Sequence, residues 1–257
     1  MKTFLFASTL VVVLTLSAAA QHKKPAPSQH LAGDSEESAI PQQQTLPAPP
    51  SLCSPCAFYG GDLNPSDPNA AGFSNEDTVL VPGSSTYAAI DVPNNGRIKV
   101  TGILFNVQAD ANFDPHTASY DVRTGVTEGN GGTSIASGTG AIEVATTGRN
   151  FFGINEFTVL VKIPTLRIGP GEYWFNITPQ CTNGATDGSC SVGRIFLSNT
   201  TQNTNAVLGN AQPAGSLYIN SAYFGYTWAN WCDSSLGLNS SQCRAGSWGL
   251  VGTAGGF

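Results

Sequence analysis

The chain of 257 residues has little charge and almost no histidine. Charged residues make up 11% of it, and of its 3 histidines only His116 lies beyond residue 50. A Ser-His or Cys-His nucleophilic pair would have to use that one residue, and a three-histidine zinc site is excluded. Since His116 follows Asp114-Pro115, a solvated position in a turn is the expected role.

Basic residues are few and scattered. There are 11 Lys and Arg against 17 Asp and Glu, which gives a net charge of −6. No cluster of cations could offset a phosphate backbone, so nucleic acid is not an expected partner. Attraction to an anionic lipid surface is disfavoured for the same reason.

Long apolar runs are confined to the N-terminus. Residues 1–20 combine Lys2, the mostly apolar stretch Phe4–Leu16 and three small residues at 18–20. This is the pattern of a secretory signal peptide, and the stretch is too short for a retained membrane anchor. We therefore expect a secreted or cell-surface protein with no membrane insertion after signal cleavage.

Residues 21–50 lack aromatic residues and cysteine but hold six prolines and five glutamines. Such a segment buries too little apolar surface to offset the entropy of ordering, so it is predicted to be a disordered linker. It would act as a spacer in front of the domain, or be a tail removed by processing.

Residues 51–257 are typical of one all-β domain. No long helical stripe is present, while apolar residues alternate in Phe157–Ile163 and Tyr173–Ile177. In Arg97–Val107 the alternation changes phase at Gly102, which indicates a bulge. These strands, with the turns between them, predict an antiparallel, jelly-roll-like β-sandwich. Further strands are expected near 86–92, 118–127, 141–146, 192–198, 216–224 and 245–251.

Three short segments carry a resemblance: Cys56–Asp62 with Asp67–Asn69, then Gly171–Ile177 (GEYWFNI), then Gly246–Gly252 (GSWGLVG). They resemble the opening, a late Gly-x-Tyr-Trp strand and the closing strand of uncharacterised jelly-roll-like domains of secreted bacterial proteins. The resemblance covers about residues 57–252. It implies a β-sandwich fold and an extracytoplasmic location, but no reaction.

Six cysteines lie beyond residue 50, and an even number in an exported chain predicts disulfides. Fifteen pairings are open. Short Gly- and Ser-rich loops favour the local pairs Cys181–Cys190 and Cys232–Cys243. The Cys53–Cys56 pair follows a proline-rich tail rather than opening a helix, so a structural disulfide is favoured over a redox motif.

The segment 61–77 is rich in side-chain oxygens. Its Asp67-x-Asn69 start resembles an EF-hand, but Ala71 has no oxygen donor at the fifth position and Thr78 replaces the bidentate Glu at the twelfth, so an EF-hand is excluded. A weak structural calcium site in a β-sandwich loop is one interpretation, and metal-free turn chemistry is the other. The candidate calcium ligands are Asp62, Asn64, Asp67, Asn69 and Asp77.

The aromatic run Tyr223–Trp231 has two interpretations as well. In an extended strand Phe224, Tyr226 and Trp228 share one face, which would either stack on sugar rings or pack in the core. Trp231, beside Cys232, is the aromatic residue expected to be exposed. The candidate ligand-binding residues are Tyr226, Trp228, Asn230, Trp231 and Asp233.

Three hypotheses for function follow. The first is a non-catalytic extracellular binding domain, with a glycan as the candidate partner. The second is a carboxylate-dependent glycan hydrolase using a pair among Glu143, Glu156 and Glu172, since glycosidases need two carboxyl groups. The third is a purely structural envelope or matrix protein, which the Gly, Ser, Thr and Asn content permits.

Overall fold

The structure is a computed structural model, and most of the region beyond residue 47 is described in it. The described residues are 28–29, 48–109, 113, 115–181, 194–200, 208–209, 212, 217–233 and 245–255. The predicted signal peptide and most of the predicted linker lie outside them. No helix that is long and apolar enough to cross a membrane occurs among the residues described.

The described part of the chain is all-β, as predicted, and no helix occurs in it. Its strands are β1 (Ser28–Gln29), β2 (Cys56–Tyr59), β3 (Gly72–Ser74), β4 (Asp77–Thr78), β5 (Ser84–Val92), β6 (Ile98–Ala109), β7 (Thr117–Thr124), β8 (Thr133–Phe151), β9 (Ile154–Ile168), β10 (Gly171–Cys181), β11 (Phe196–Ser198), β12 (Leu217–Ser221), β13 (Tyr226–Asn230) and β14 (Trp248–Ala254).

These strands form one curled sheet in which the pairing is antiparallel except between β4 and β10. The order along the sheet is β1-β3-β11-β6-β9-β8-β7-β10-β5-β12-β13, and β14 joins β6 to β2. Strand β8 connects the two halves of the sheet, because residues 133–141 pair with β7 and residues 142–151 pair with β9. The antiparallel prediction is confirmed, whereas the jelly-roll sandwich stays a prediction.

One apolar core lies between the two halves of the curled sheet. Phe105 and Val161 come from one half, Phe175 and Ile90 from the other, and Trp248 packs on Phe175 at a ring-centroid distance of 5.3 Å. The predicted alternation of β9 and β10 is therefore correct. Burial of these large side chains is the main driving force for folding of such a domain.

The bulge predicted at Gly102 is present. The register of β6 shifts between Val100 and Gly102 against β9, and β14 shifts opposite the same point. A Cβ atom on Gly102 would lie 2.9 Å from a Leu160 methyl carbon and 3.2 Å from the Val161 carbonyl oxygen, so a larger residue would require its neighbours to shift. The bulge turns the side chains of β6 over, which explains the phase change in the sequence.

Two sequence predictions about strands need correction or fall partly outside the described residues. Strand β8 spans 19 residues rather than the six expected near 141–146. Its Ser, Thr and Gly content gave little apolar signal because most of its side chains face solvent. Of the strand expected at 192–198, only β11 is formed among the described residues.

The predicted Cys53–Cys56 disulfide is present, with an S–S distance of 2.02 Å. Cys232 is also disulfide-bonded, but its partner is not among the described side chains. Cys190 and Cys243, and the side chain of Cys181, lie outside the described part of the structure. The pairs Cys181–Cys190 and Cys232–Cys243 therefore stay predictions.

We predict that the double substitution Cys53→Ala/Cys56→Ala lowers the free energy of unfolding by about 2 kcal/mol. The bridge closes a loop of only a few residues, so its effect on the entropy of the unfolded chain is small. Urea denaturation of the variant beside the wild type measures this difference. Equal midpoints and slopes for both proteins would contradict the prediction.

Candidate functional site

A buried polar network covers the outer face of β6, opposite the apolar core. Asn106 is fully buried there, and its Nδ2 donates to Tyr59 Oη and to Ser247 Oγ, both at 2.8 Å. Its Oδ1 accepts from Thr158 Oγ1 at 2.7 Å. One amide side chain therefore fixes the end of β2, the residue before β14 and strand β9 relative to one another.

The network continues from Tyr59 to an acidic residue, Asp62. The Tyr59 hydroxyl contacts the Asp62 carboxylate, and Gly61, with φ of 103°, makes the sharp bend between them. Burial, reinforced by the Asp62 charge, raises the pKa of Tyr59 far above its ordinary range. Tyr59 therefore stays protonated and donates to Asp62 at any physiological pH.

Arg149 binds two carboxylates at once. Its Nη2 lies 3.0 Å from Asp62 Oδ1, and its Nε contacts Glu156 Oε2. The local sequence explains the direction of the Arg149 side chain. Thr147 Oγ1 accepts from the Arg149 N–H at 3.1 Å, and Gly148 takes a φ of 78°. This kink in β8 turns the Arg149 side chain back onto β9.

Glu156 is fully buried under this arginine. Its Oε2 also accepts from Thr147 Oγ1 at 3.0 Å. Burial raises the pKa of Glu156, while Arg149 and the nearby Ser198 and Thr147 act in the opposite direction. Ser198 lies close to the carboxylate, yet Oε1 makes no hydrogen bond of good geometry with any described group.

Above this network a small open cleft has a volume of about 190 Å³. One side is the segment 48–52, which includes the end of the predicted linker, and the other is β8 at 145–149. Asp62, Arg149 and Thr158 also line it, whereas Glu156 does not. The cleft is smaller than the roughly 300–1,000 Å³ of a drug-sized pocket, so it suits one small polar ring or group.

The cleft offers fixed hydrogen-bond acceptors and donors rather than an acid and a base. Asp62 is held by Tyr59 and Arg149, and hydroxyls of Thr147 and Thr158 are already oriented by their partners. A general acid must exchange its proton with a ligand in the cleft. Glu156, the carboxyl group whose pKa burial raises, does not reach the cleft. The arrangement is therefore suited to recognising polar groups.

The three glutamates considered for hydrolysis are not brought together. Glu143 lies at the surface on β8, in an ion pair with Lys162 at 2.5 Å. Glu172 lies near the surface on β10, directly opposite Asp91 of the neighbouring strand β5. Partial burial, together with the Asp91 carboxylate, raises the pKa of Glu172. Glu156 is the buried partner of Arg149. Each has its own surroundings, so no two of them flank a common cleft.

The predicted calcium ligands take part in turns and ion pairs. Asn64 Oδ1 and Asp67 Oδ1 each accept from the backbone N–H two residues later, at 3.1 and 2.8 Å, as in an Asx turn. Asp77 Oδ1 accepts from the Gly83 N–H at 3.1 Å. In the described ranges no three Asp, Glu, His or Cys side chains form a group able to hold a metal. Calcium binding by Asp62, Asn64, Asp67, Asn69 and Asp77 stays a prediction.

The predicted exposure of Trp231 is wrong. The residue is 1% exposed, its ring lies 5.1 Å from that of Phe73, and its Nε1 donates to Thr86 Oγ1 at 3.1 Å. Its neighbour Cys232 is half-buried, so proximity to a disulfide did not place the indole at the surface. Trp231 belongs to the core, where it cannot stack on a ligand.

Trp228 is also buried, in a second aromatic cluster on the outer face of the sheet. It packs on Tyr87 with ring centroids 4.7 Å apart, beneath Gly131, and the Arg123 guanidinium lies 4.8 Å from its ring. A bulge explains this: two residues of β13 oppose Asn220, and Trp228 takes a φ of 50°. The run is therefore not one straight strand.

The remaining predicted ligand residues do not form one open surface. Phe224 lies in the turn before β13, and Tyr226 is half-buried against the core. Asn230 Oδ1 accepts from the Cys232 N–H at 2.7 Å, and its own N–H donates to Glu128 at 2.9 Å. Asp233 is exposed. A sugar-binding role for this region would rest on Tyr226, Asn230 and Asp233.

Sequence reasoning missed the cleft because its key residues resemble surface residues. Arg149 follows the Thr-Thr-Gly of a polar strand, and Asp62 was considered only as a calcium ligand. A clue was present in β6 and β9, where Asn106, Gln108 and Glu156 interrupt strongly apolar segments. Polar residues inside such strands indicate either solvent or a buried network.

Comparisons with known proteins give no relative from which a function could be transferred: no family model, no curated protein and no solved structure matches the chain.

We predict that stability depends on pH through Glu156. Because its pKa is higher in the folded chain than the ordinary 4.5, its contribution is complete below that value and is lost as pH rises through the folded pKa. Glutamine does not titrate, so in Glu156→Gln this pH-dependent loss is absent. The free energy of unfolding of the variant therefore rises relative to that of the wild type as pH increases from 4.5. Urea titrations between pH 4 and 8 measure the difference, and a constant difference would refute the prediction.

We also predict that Trp231→Ala lowers the free energy of unfolding by about 3–5 kcal/mol, because it removes a large buried ring. Trp231→Phe keeps most of the packing and loses mainly the hydrogen bond to Thr86, so its cost is about 1 kcal/mol. Thermal and urea unfolding compare the two variants. Wild-type stability of the alanine variant would show that the ring is at the surface.

Proposed function

We propose that this chain is a secreted or cell-surface, non-catalytic binding domain, and that the cleft beside Asp62 and Arg149 binds a carbohydrate. The observation that carries the proposal is the Asp62–Arg149 pair at the cleft. It places the Asp62 carboxylate and the Arg149 guanidinium side by side, with the buried Nη2 of Arg149 3.0 Å from Asp62 Oδ1. Neighbouring hydroxyl groups of a sugar ring both donate and accept hydrogen bonds, so they suit such a pair.

The rigidity of the pair supports binding. Asp62 is fixed by Tyr59, and Arg149 is fixed by Glu156, so neither side chain needs to be ordered when a ligand arrives. Preorganised groups lose less conformational entropy on binding, which increases affinity. The predicted signal peptide and spacer support a role outside the cytoplasm, where glycans are abundant ligands.

The hydrolase hypothesis receives less support. Retaining and inverting glycosidases hold two carboxyl groups on either side of the scissile bond. At this cleft Asp62 is available, but Glu156 lies beneath Arg149 and does not line the cleft. The structural-protein hypothesis has no specific contact in its favour.

The test is a glycan array with the wild-type chain, run beside an activity screen on the same polysaccharides. We expect binding without turnover. For the glycans that bind the wild type in the array, Asp62→Asn should weaken binding by roughly tenfold or more, because it removes a charged hydrogen-bond acceptor. Titration calorimetry measures this loss, and thermal melting of the variant establishes that it is folded.

Glu143→Gln is the matched control, since Glu143 is an exposed carboxylate of β8 that is paired with Lys162 and does not line the cleft. Its affinity should equal that of the wild type. Turnover of any polysaccharide would favour the hydrolase. Absence of binding and of turnover would overturn the proposal and favour a structural role.

A further inference from the structure

The tip of the β8–β9 hairpin has an unusual turn. Phe151 and Ile154 pair across it, and the two residues between them, Phe152 and Gly153, have φ values of 52° and 79°. The Asn150 side chain closes the turn by accepting from the Gly153 N–H at 2.9 Å. Two successive positive φ values at a two-residue hairpin loop define a type I′ turn.

A phenylalanine at the first position of this turn is unfavourable. The left-handed region is disfavoured for side chains with a bulky Cβ substituent, and type I′ turns select Asn, Asp or Gly there. Strained backbone persists at functional sites when the strained side chain has a use. The identity of residue 152 therefore needs a reason other than the turn.

Packing does not supply that reason. The neighbouring Phe151 is the buried ring, 5% exposed, and it forms a small cluster with Leu63 and Ala70. Phe152 is 49% exposed, and its ring makes an edge-to-face contact with Phe151 at 4.6 Å between centroids. The turn thus presents an aromatic ring to solvent in a fixed direction.

This ring is close to the cleft. Phe152 is three positions after Arg149, so their Cα atoms are at most about 10 Å apart. The Asn150 and Asn155 side chains bond to each other at 3.1 Å on the face of the hairpin opposite Arg149, because successive side chains of a strand point to opposite faces. An exposed aromatic ring at this distance from the cleft is a suitable surface for a second ring of a ligand whose first ring lies in the cleft.

We propose that Phe152 is a stacking contact for an oligosaccharide that extends from the cleft to the tip of the hairpin. This inference rests on the proposed carbohydrate binding. It adds that the ligand has at least two sugar units, and that Phe152 is the residue that distinguishes an oligosaccharide from a monosaccharide.

The experiment compares the wild type with Phe152→Asn in two series of probes, glucose with cellobiose and cellotriose, and N-acetylglucosamine with chitobiose and chitotriose. In the series that binds, we expect the variant to lose about threefold to tenfold in affinity for the di- and trisaccharide. Affinity for the monosaccharide should be unchanged. The melting temperature should rise by about 2–4 °C, because asparagine relieves the strained turn.

Ile135→Asn is the matched control. It makes the same apolar-to-amide change at an exposed residue of β8, at the far end of the strand from the cleft. Its affinities should equal those of the wild type for every probe, so a loss in Phe152→Asn alone is specific to the hairpin tip.

Each other outcome overturns the inference in a distinguishable way. If the wild type binds neither series and no glycan of the array, carbohydrate binding itself is wrong. If oligosaccharides bind both proteins equally, or if mono- and oligosaccharides lose equally, the cleft binds but Phe152 does not stack on a second ring. A lower melting temperature for Phe152→Asn would show that the ring is kept for packing.

Discussion

The burial of strand β6 on both faces is the constraint on which the rest of the structure depends. One face carries Phe105 and Val107 into the apolar core, which is the ordinary arrangement for a packed sheet. The other face carries Asn106 and Gln108, and both are buried as well. Burying an amide without hydrogen-bond partners is costly, so the end of β2 and the residue before β14 must bring hydroxyl groups to Asn106. Tyr59 and Ser247 supply the hydrogen-bond partners of Asn106. The same two residues fix the chain at Gly61 and Asp62, and this placement of Asp62 forms the cleft.

Periodicity in the sequence was sufficient for the parts of the fold where burial is one-sided. The alternation in β9 and β10 and the phase change at Gly102 were predicted and are present, because apolar side chains there face a single core. Periodicity fails where a second layer covers the outer face of the sheet, since alternation then assigns Asn106 and Glu156 to solvent. It also fails for β8, whose exposed Ser, Thr and Gly side chains carry no apolar pattern. Asp62 and Arg149 are 87 positions apart in the printed sequence, and only the tertiary structure brings them into contact.

The aromatic run shows how one backbone irregularity changes an interpretation. Phe224, Tyr226 and Trp228 share a face only if the strand is regular. The bulge in β13 and the positive φ of Trp228 break that regularity, so Trp228 packs beneath the β7–β8 loop while Trp231 enters the main core. A bulge of this kind usually carries glycine at the left-handed position. Because tryptophan occupies it here, the sequence did not indicate a bulge. Composition predicted correctly that aromatic rings would be buried somewhere, but it could not say which ones.

Two features that oppose folding lie in the hairpin formed by β8 and β9. The first is clear from a comparison with Glu76, because that carboxylate is equally buried but accepts from Ser74, Arg194 and the Ile195 N–H, so both its oxygens are satisfied. Glu156 leaves Oε1 without a hydrogen bond among the described groups, and Phe152 occupies a backbone conformation suited to glycine or asparagine. A hairpin selected only for stability would lack both features. Since local departures from the rules of stable folding occur mainly where function requires them, the hairpin is one place where the function of this domain should be sought.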